Sequence, residues 1–183
     1  QVSFVISLGG GAVDGRSLLL RQTERQAEAA GMSKEAVARV VQEQRRIFDL
    51  ILAKKWEELR SSVEETILSR LKALPKEKTA TLGDLNAVAS RKAAASVRVF
   101  QHPRYQFLLG HDFGEDWAKV SVPVLALFGE LDVQCDASEN KVALKQALAR
   151  GANDDVTIVV VPAANHLFVK AETGSMSEYA TLP

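Results

Sequence analysis

Cysteine is almost absent from the sequence, which has a single one, Cys135, among 183 residues. One cysteine excludes an internal disulfide framework and a cysteine-rich zinc site. Net charge is also absent, because 23 Lys and Arg residues balance 23 Asp and Glu residues. The chain therefore has no general attraction for nucleic acid or an anionic membrane surface. No apolar run approaches the roughly 18 residues of a membrane span, and we expect no nucleic-acid or membrane partner.

The N-terminus lacks the basic region and the cleavage pattern of a secretory signal peptide. Its first nine residues, QVSFVISLG, are instead typical of a core strand that begins in the middle of a fold. We expect a cytoplasmic chain that corresponds to part of a larger, truncated fold.

Three short apolar runs rich in β-branched residues predict strands at residues 2–8, 122–128 and 156–161. Glycine or proline follows each run, where the backbone must turn. Each run is continuous rather than alternating, a pattern typical of parallel strands covered on both faces. The sequence therefore predicts an α/β fold, with a short parallel sheet of about three strands in an α/β/α sandwich.

Helical patterns fill most of the remaining chain, at residues 18–30, 33–54, 62–74, 84–97 and 137–149. A capping box, Ser62-Val63-Glu64-Glu65, predicts the start of the third helix. More than a hundred residues separate the first two strands, far more than the dozen or so that a crossover requires. We therefore expect residues 1–15 and 118–183 to form the α/β core, and residues 16–117 to form a helical lid.

The glycine run Gly9-Gly10-Gly11 follows the first predicted strand. It has neither the spacing of a dinucleotide-binding fingerprint nor the Lys-Ser/Thr of a Walker loop, so it predicts a tight strand exit. His102 and His111 lie nine residues apart without a supporting carboxylate pattern, which makes a metal site improbable. We expect neither a metal nor an organic cofactor.

Two residues that can act as an acid–base pair follow neighbouring strands. Asp132 comes after the second predicted strand and His166 after the third. Because ligands of parallel sheets bind outside the carboxyl ends of the strands, we expect the two side chains to lie close together there. A carboxylate bonded to one imidazole nitrogen fixes the tautomer and leaves the other nitrogen free to act as a base. Taken singly, each residue has a plainer explanation, as a turn-capping carboxylate and a partly buried histidine.

The sequence around this pair resembles the α/β-hydrolases. Residues 122–134, VPVLALFGELDVQ, and residues 165–179, NHLFVKAETGSMSEY, are similar to the acid and histidine motifs of the bacterial serine-aminopeptidase-like and esterase group. Residues 4–11 resemble the strand after the nucleophile helix of that group. The resemblance implies the C-terminal portion of such a hydrolase, with Asp132 as the triad acid and His166 as the triad histidine.

The sequence departs from that family at the nucleophile. No Gly-x-Ser-x-Gly motif, which supplies the family's serine, occurs in the chain. Three replacements stay open: the thiol of Cys135 (three residues after Asp132), a serine such as Ser7 or Ser138, and an activated water. Cys135 is also explained simply as a small buried apolar residue.

We predict hydrolysis of small carboxylic esters, because activated esters demand the least transition-state stabilisation. His166 would be the base and Asp132 its orienting partner. The alternatives are an inactive fragment that self-associates or binds a small molecule, and half of a split enzyme completed by another chain. A sheet of three strands also leaves an unpaired edge and apolar surface, so we expect a homodimer or larger homo-oligomer.

Overall fold

The computed structural model describes residues 2–180, and this part of the chain has an α/β fold. It divides into two compact units. The sheet unit contains the residues up to Gln44 and those from Gly110 onward, and the helical unit is Arg45–Leu109. In chain order the elements are β1 (Val5–Leu8), α1 (Gly15–Ala29), α2 (Lys34–Leu52), α3 (Trp56–Lys72), α4 (Lys76–Ala80), α5 (Leu85–Gln101), α6 (Pro103–Gly110), α7 (Phe113–Trp117), β2 (Val124–Gly129), α8 (Ala137–Arg150), β3 (Val156–Val161) and a short 3-10 helix (Met176–Ala180).

The three strands form one parallel sheet in the order β1-β2-β3. Leu8 at the end of β1 is in register with Leu127, and Gly129 at the end of β2 is in register with Val161. The carboxyl ends of all three strands therefore lie along one edge of the sheet. This confirms the predicted parallel sheet of three strands.

One face of the sheet carries the core of this unit. Val124, Ala126 and Phe128 alternate along β2 and are buried, and Leu144 and Leu148 of α8 belong to the same apolar cluster. Helix α8 covers this face with residues four apart, which lie on one side of the helix. Leu18 of α1 and Trp117 of α7 pack against the same cluster.

The opposite face of the sheet is exposed. Ile6 and Leu8 on β1 are 54% and 62% exposed, and Val159 on β3 is 41% exposed. The expected α/β/α sandwich, with helices on both faces, is therefore wrong for the described part of the sheet unit, which has two layers. Continuous apolar strands predict cover on both faces, but the strand pattern alone does not say which layer supplies it.

Helix α1 is tied to the start of α8 by charged side chains. Asp136 is the N-cap of α8, and its carboxylate accepts from Ser138 N at 2.8 Å and pairs with Arg25 and, at 3.6 Å, with Arg21 Nη2. Asp136 is itself buried, so these donors compensate the burial of its charge.

The helical unit is built around α3 and α5. Leu59 and Val63 of α3 and Ala89 and Ala93 of α5 are buried. Helix α3 begins at Trp56, so the capping box predicted at residues 62–65 is wrong: these residues lie inside the helix. Leu59, four residues before Val63, continues the apolar stripe across the predicted boundary.

The boundaries between the units fall within the segment predicted as a lid, residues 16–117. Helix α1 and the start of α2 belong to the sheet unit, and residues 45–109 alone make the helical unit. Among residues 2–180, none of the helices is both long enough and apolar enough to span a membrane.

Candidate active site

The loops after β2 and β3 are joined by backbone hydrogen bonds. Glu130 N donates to Val161 O at 3.0 Å, and Leu131 N donates to Ala164 O at 2.9 Å. At Gly129 the two loops approach so closely that a Cβ atom would lie 2.5 Å from Ala164 O. Glycine is therefore required at this position, and the close approach brings the side chains that follow into contact.

Asp132 and His166 form a hydrogen-bonded pair. His166 Nδ1 lies 2.9 Å from Asp132 Oδ2. Because an ionised carboxylate only accepts, Nδ1 carries the proton and donates, which leaves Nε2 as the basic nitrogen. The aspartate side chain is 0% exposed and the histidine side chain 32% exposed. The structure thus brings together the two residues that the sequence predicted as a pair.

The second oxygen of Asp132 fixes the orientation of the carboxylate. Asp132 Oδ1 accepts from Gln134 N and from Cys135 N, each at 2.8 Å. With the donor from His166, three hydrogen bonds hold a buried carboxylate that would otherwise be costly to desolvate. The turn at residues 132–135 therefore orients the partner of His166.

The pair makes His166 a stronger base than a free imidazole. The hydrogen bond from His166 to Asp132 raises the pKa of His166, and partial burial opposes it. The same carboxylate stabilises the imidazolium that forms when Nε2 takes a proton. The arrangement is therefore suited to general-base chemistry near neutral pH.

Gly9 packs directly against this pair. A Cβ atom at Gly9 would lie 3.2 Å from Asp132 Oδ2 and 3.3 Å from His166 Nδ1. Gly9 also has a φ of 59°, a conformation that favours glycine. The end of β1 thus covers the hydrogen bond between Asp132 and His166, and sequence analysis recognised the strand exit but not this contact.

Cys135 is poorly placed to act as the nucleophile. It is 3% exposed and belongs to the apolar core of the sheet unit. Burial first, and then the charges of Asp132, Asp136 and Glu139, raise the pKa of its thiol to about 12. Because the thiolate is the reactive form, this environment disfavours the role and supports the plainer explanation of a small buried residue.

The two serines considered as nucleophiles lie on β1 and at the start of α8. Ser7 is buried on β1 with its Oγ behind Gly10, where a Cβ atom at that glycine would lie 2.3 Å away. Ser138 donates from its hydroxyl to Asp136, the N-cap of α8. Neither hydroxyl is hydrogen-bonded to His166.

Asn140 and Trp117 hold the loop after β1 in place, and sequence analysis missed both roles. Asn140 is 0% exposed; its Oδ1 accepts from Ala12 N at 2.9 Å and its Nδ2 donates to Asp136 O at 3.0 Å. Trp117 Nε1 donates to Gly11 O at 2.9 Å. For Asn140 a signal existed, because a polar residue stands four positions before Leu144 on the apolar stripe of α8.

Within residues 2–180, the His, Cys, Asp and Glu side chains form no group of three that could hold a metal ion.

Comparison with known proteins does not identify a family for the chain. No family model matches the chain, and neither a curated protein nor a solved structure matches it.

Replacing Asp132 by Asn should lower the pKa of His166 toward the ordinary value of about 6.5, as measured by NMR titration of the ring protons. Because the folded pKa of His166 is raised, the pair stabilises the fold fully below about pH 6.5 and ceases to do so as pH rises through the raised value. The stability lost in Asp132→Asn should therefore be larger at pH 5 than at pH 9.

Glu130→Gln, which removes a carboxylate two residues earlier in the same loop, is the matched control and should leave the His166 titration unchanged. A His166 pKa that is the same in wild type and Asp132→Asn would contradict the assigned hydrogen bond.

Gly9→Ala should disturb the pair, whereas Gly31→Ala should not. Both glycines have positive φ, 59° and 74°, so each substitution should cost about 1–2 kcal/mol in the free energy of unfolding. Only at Gly9 does the added methyl meet other atoms, since nothing lies within 4 Å of the same position at Gly31. Denaturant unfolding combined with the His166 titration separates the two effects; equal titration curves for both variants would refute the contact.

Proposed function

We propose that the chain hydrolyses small carboxylic esters, with His166 as general base, Asp132 as its orienting partner and water as the nucleophile. The observation that supports this proposal is the 2.9 Å contact between His166 Nδ1 and the buried Asp132 carboxylate. It leaves Nε2 as the basic nitrogen of a side chain that is one-third exposed. The resemblance of both loops to α/β-hydrolase motifs points to the same chemistry.

The reaction balances with these groups alone. Nε2 of His166 takes a proton from water as the water oxygen attacks the ester carbonyl carbon. The tetrahedral intermediate then expels the alkoxide, which takes the proton back from the imidazolium and leaves as an alcohol. Asp132 stays ionised throughout and stabilises the positive ring. The products are a carboxylic acid and an alcohol.

Water is preferred over a protein nucleophile because of the surroundings of the three candidates. Cys135 has a strongly raised pKa in the core, Ser138 donates its hydroxyl to Asp136, and Ser7 is buried on β1. The basic edge of His166, in contrast, is on a side chain that solvent reaches. Substrates with good leaving groups fit best, because they need the least stabilisation of the intermediate.

Hydrolysis of 4-nitrophenyl acetate should fall by about 10²–10⁴-fold in His166→Ala, the range expected for loss of a general base. Asp132→Asn should also reduce the rate, while Cys135→Ala and Ser7→Ala should retain it. The wild-type rate should rise with pH as His166 loses its proton, with a midpoint above about 6.5, and the midpoint should be lower in Asp132→Asn.

His102→Ala removes an exposed histidine of the helical unit and serves as the control for surface imidazole catalysis. Hydrolysis that survives in His166→Ala would exclude the proposed base. Loss of activity in Cys135→Ala, with the fold retained, would instead restore the thiol as nucleophile.

The exposed face of the sheet supports a second candidate role, self-association. Phe4, Ile6 and Leu8 are each more than half exposed at alternating positions of β1 and the residues before it. Ile6 is in register with Leu125, and Leu8 with Leu127, so these side chains share one face with Val159 on β3. The surface is apolar, and in a two-fold dimer the same patch of both copies forms the interface. We propose that two copies pack through it.

Sedimentation analysis should show a dimer for the wild type and a monomer for the double variant Ile6→Lys with Leu8→Lys, because two charges would be buried in the interface. Val142→Lys, which places a charge on an exposed valine of α8, should leave the dimer intact. A wild-type monomer at high protein concentration would contradict this role without affecting the proposed catalysis.

A further inference from the structure

Asn165, the residue before His166, is completely buried in the loop after β3. It is 0% exposed, and its Oδ1 accepts from Leu167 N at 2.9 Å and from Val169 N at 3.2 Å. In such an Asx turn the side-chain oxygen takes the place of a backbone carbonyl. The amide of Asn165 thus closes, from the inside, the segment that contains His166.

The backbone of Asn165 closes the same segment. Asn165 N donates to Val169 O, and Phe168 N donates to Asn165 O, each at 3.0 Å. Phe168 has a φ of 58°, a left-handed conformation that is costly for a residue other than glycine and persists only where the surroundings impose it. The hydrogen bonds of Asn165, two from its side chain and two from its backbone, supply that constraint for the turn at residues 165–169.

This turn lies directly against the loop that carries Asp132. A Cβ atom at Gly129 would lie 2.6 Å from Asn165 O, so the two loops touch at the residue before His166. The Asp132 carboxylate is held by two backbone N–H groups of its own turn. The 2.9 Å hydrogen bond between His166 and Asp132 therefore joins two turns, and Asn165 holds the one that presents the imidazole.

An uncharged side chain suits this position. Asn165 Nδ2 is buried and has no hydrogen-bond partner among residues 2–180, which is costly for an amide donor. The position therefore uses the oxygen of the amide rather than its nitrogen. An aspartate would supply the same oxygen without the unpaired donor, but it would bury a second negative charge one residue from His166.

We propose that Asn165 is a positioning residue for His166. Its amide oxygen fixes the turn at residues 165–169 and so directs the imidazole toward Asp132, without adding charge to the pair. Because Asn165 is completely buried, it acts through His166 and not on a substrate. The role rests on the proposed function, in which His166 is the base.

NMR titration of the His166 ring in three variants tests this role. Asn165→Ala removes the acceptor, so the pKa of His166 should fall toward the ordinary value of about 6.5. Asn165→Ser, whose hydroxyl makes the same turn more weakly, should give an intermediate pKa and keeps the test decisive if the alanine variant does not fold. Asn165→Asp retains the acceptor and adds a carboxylate, so it should keep the pKa of His166 at or above the wild-type value.

Hydrolysis of 4-nitrophenyl acetate gives a second readout. Asn165→Ala should lower kcat by roughly 10–100-fold, the effect of a misplaced catalytic group, and should leave KM nearly unchanged. A rise in KM with an unchanged kcat would instead contradict a positioning role.

Asn153→Ala is the matched control, because Asn153 is also a buried asparagine that caps a loop at β3, but at the opposite end of the strand. Its Nδ2 donates to Val120 O and to Val122 O, each at 2.9 Å. Its Oδ1 accepts from Asp155 N at 3.1 Å. The control variant should lower the denaturation midpoint to a similar degree without moving the His166 titration or kcat.

A His166 pKa that is the same in wild type, Asn165→Ser and Asn165→Ala would overturn the role, as would an equal shift in Asn153→Ala. The titration does not depend on turnover. A wild type without esterase activity would therefore refute the proposed hydrolysis, while the series of pKa values still decides whether Asn165 positions the ring.

Discussion

The register of the three parallel strands is the constraint on which the candidate site depends. Leu8 pairs with Leu127 and Gly129 with Val161, so the loops that follow β1, β2 and β3 leave the sheet at the same edge. A shift of one residue in β2 would turn its side chains to the opposite face. It would take Ala126 and Phe128 out of the core and displace Asp132 relative to His166. The packing of α8 against β2 therefore holds the chemical groups in place as well as the fold.

The sheet is packed on one face only, because its other face is exposed. Burial of apolar surface stabilises a fold by about 25 cal/mol per Å². Ile6, Leu8 and Val159 remain substantially exposed and do not contribute this free energy in full. The loop after β1 is instead held by polar contacts, from Asn140 to Ala12 N and from Trp117 to Gly11 O. These contacts hold residues 11 and 12, which closely follow the glycine that lies against the acid–base pair.

Much of this arrangement follows from residue patterns, and the remainder depends on three-dimensional packing. Apolar β-branched runs predicted all three strands, and the position of Asp132 and His166 after neighbouring strands predicted their contact. The short helices α4, α6 and α7 were not predicted, because segments of five to eight residues show too little hydrophobic periodicity. The layer count was wrong because continuous apolar strands predict cover on both faces, whereas Ile6, Leu8 and Val159 on one face remain exposed. The burial of Cys135 and the contact of Gly9 depend on how loops fold back, which spacing along the chain does not encode.

The hydrogen bonds of Asp132 hold its carboxylate in place whether or not the pair is catalytic. Two backbone donors and one ring nitrogen satisfy its carboxylate within the chain, so the pair needs neither a substrate nor a protein nucleophile to persist. Gly9 lies against the Nδ1 and Cε1 edge of His166. The histidine side chain as a whole remains 32% exposed. A reactant that meets this base must arrive from solvent, which water does and the core thiol of Cys135 does not.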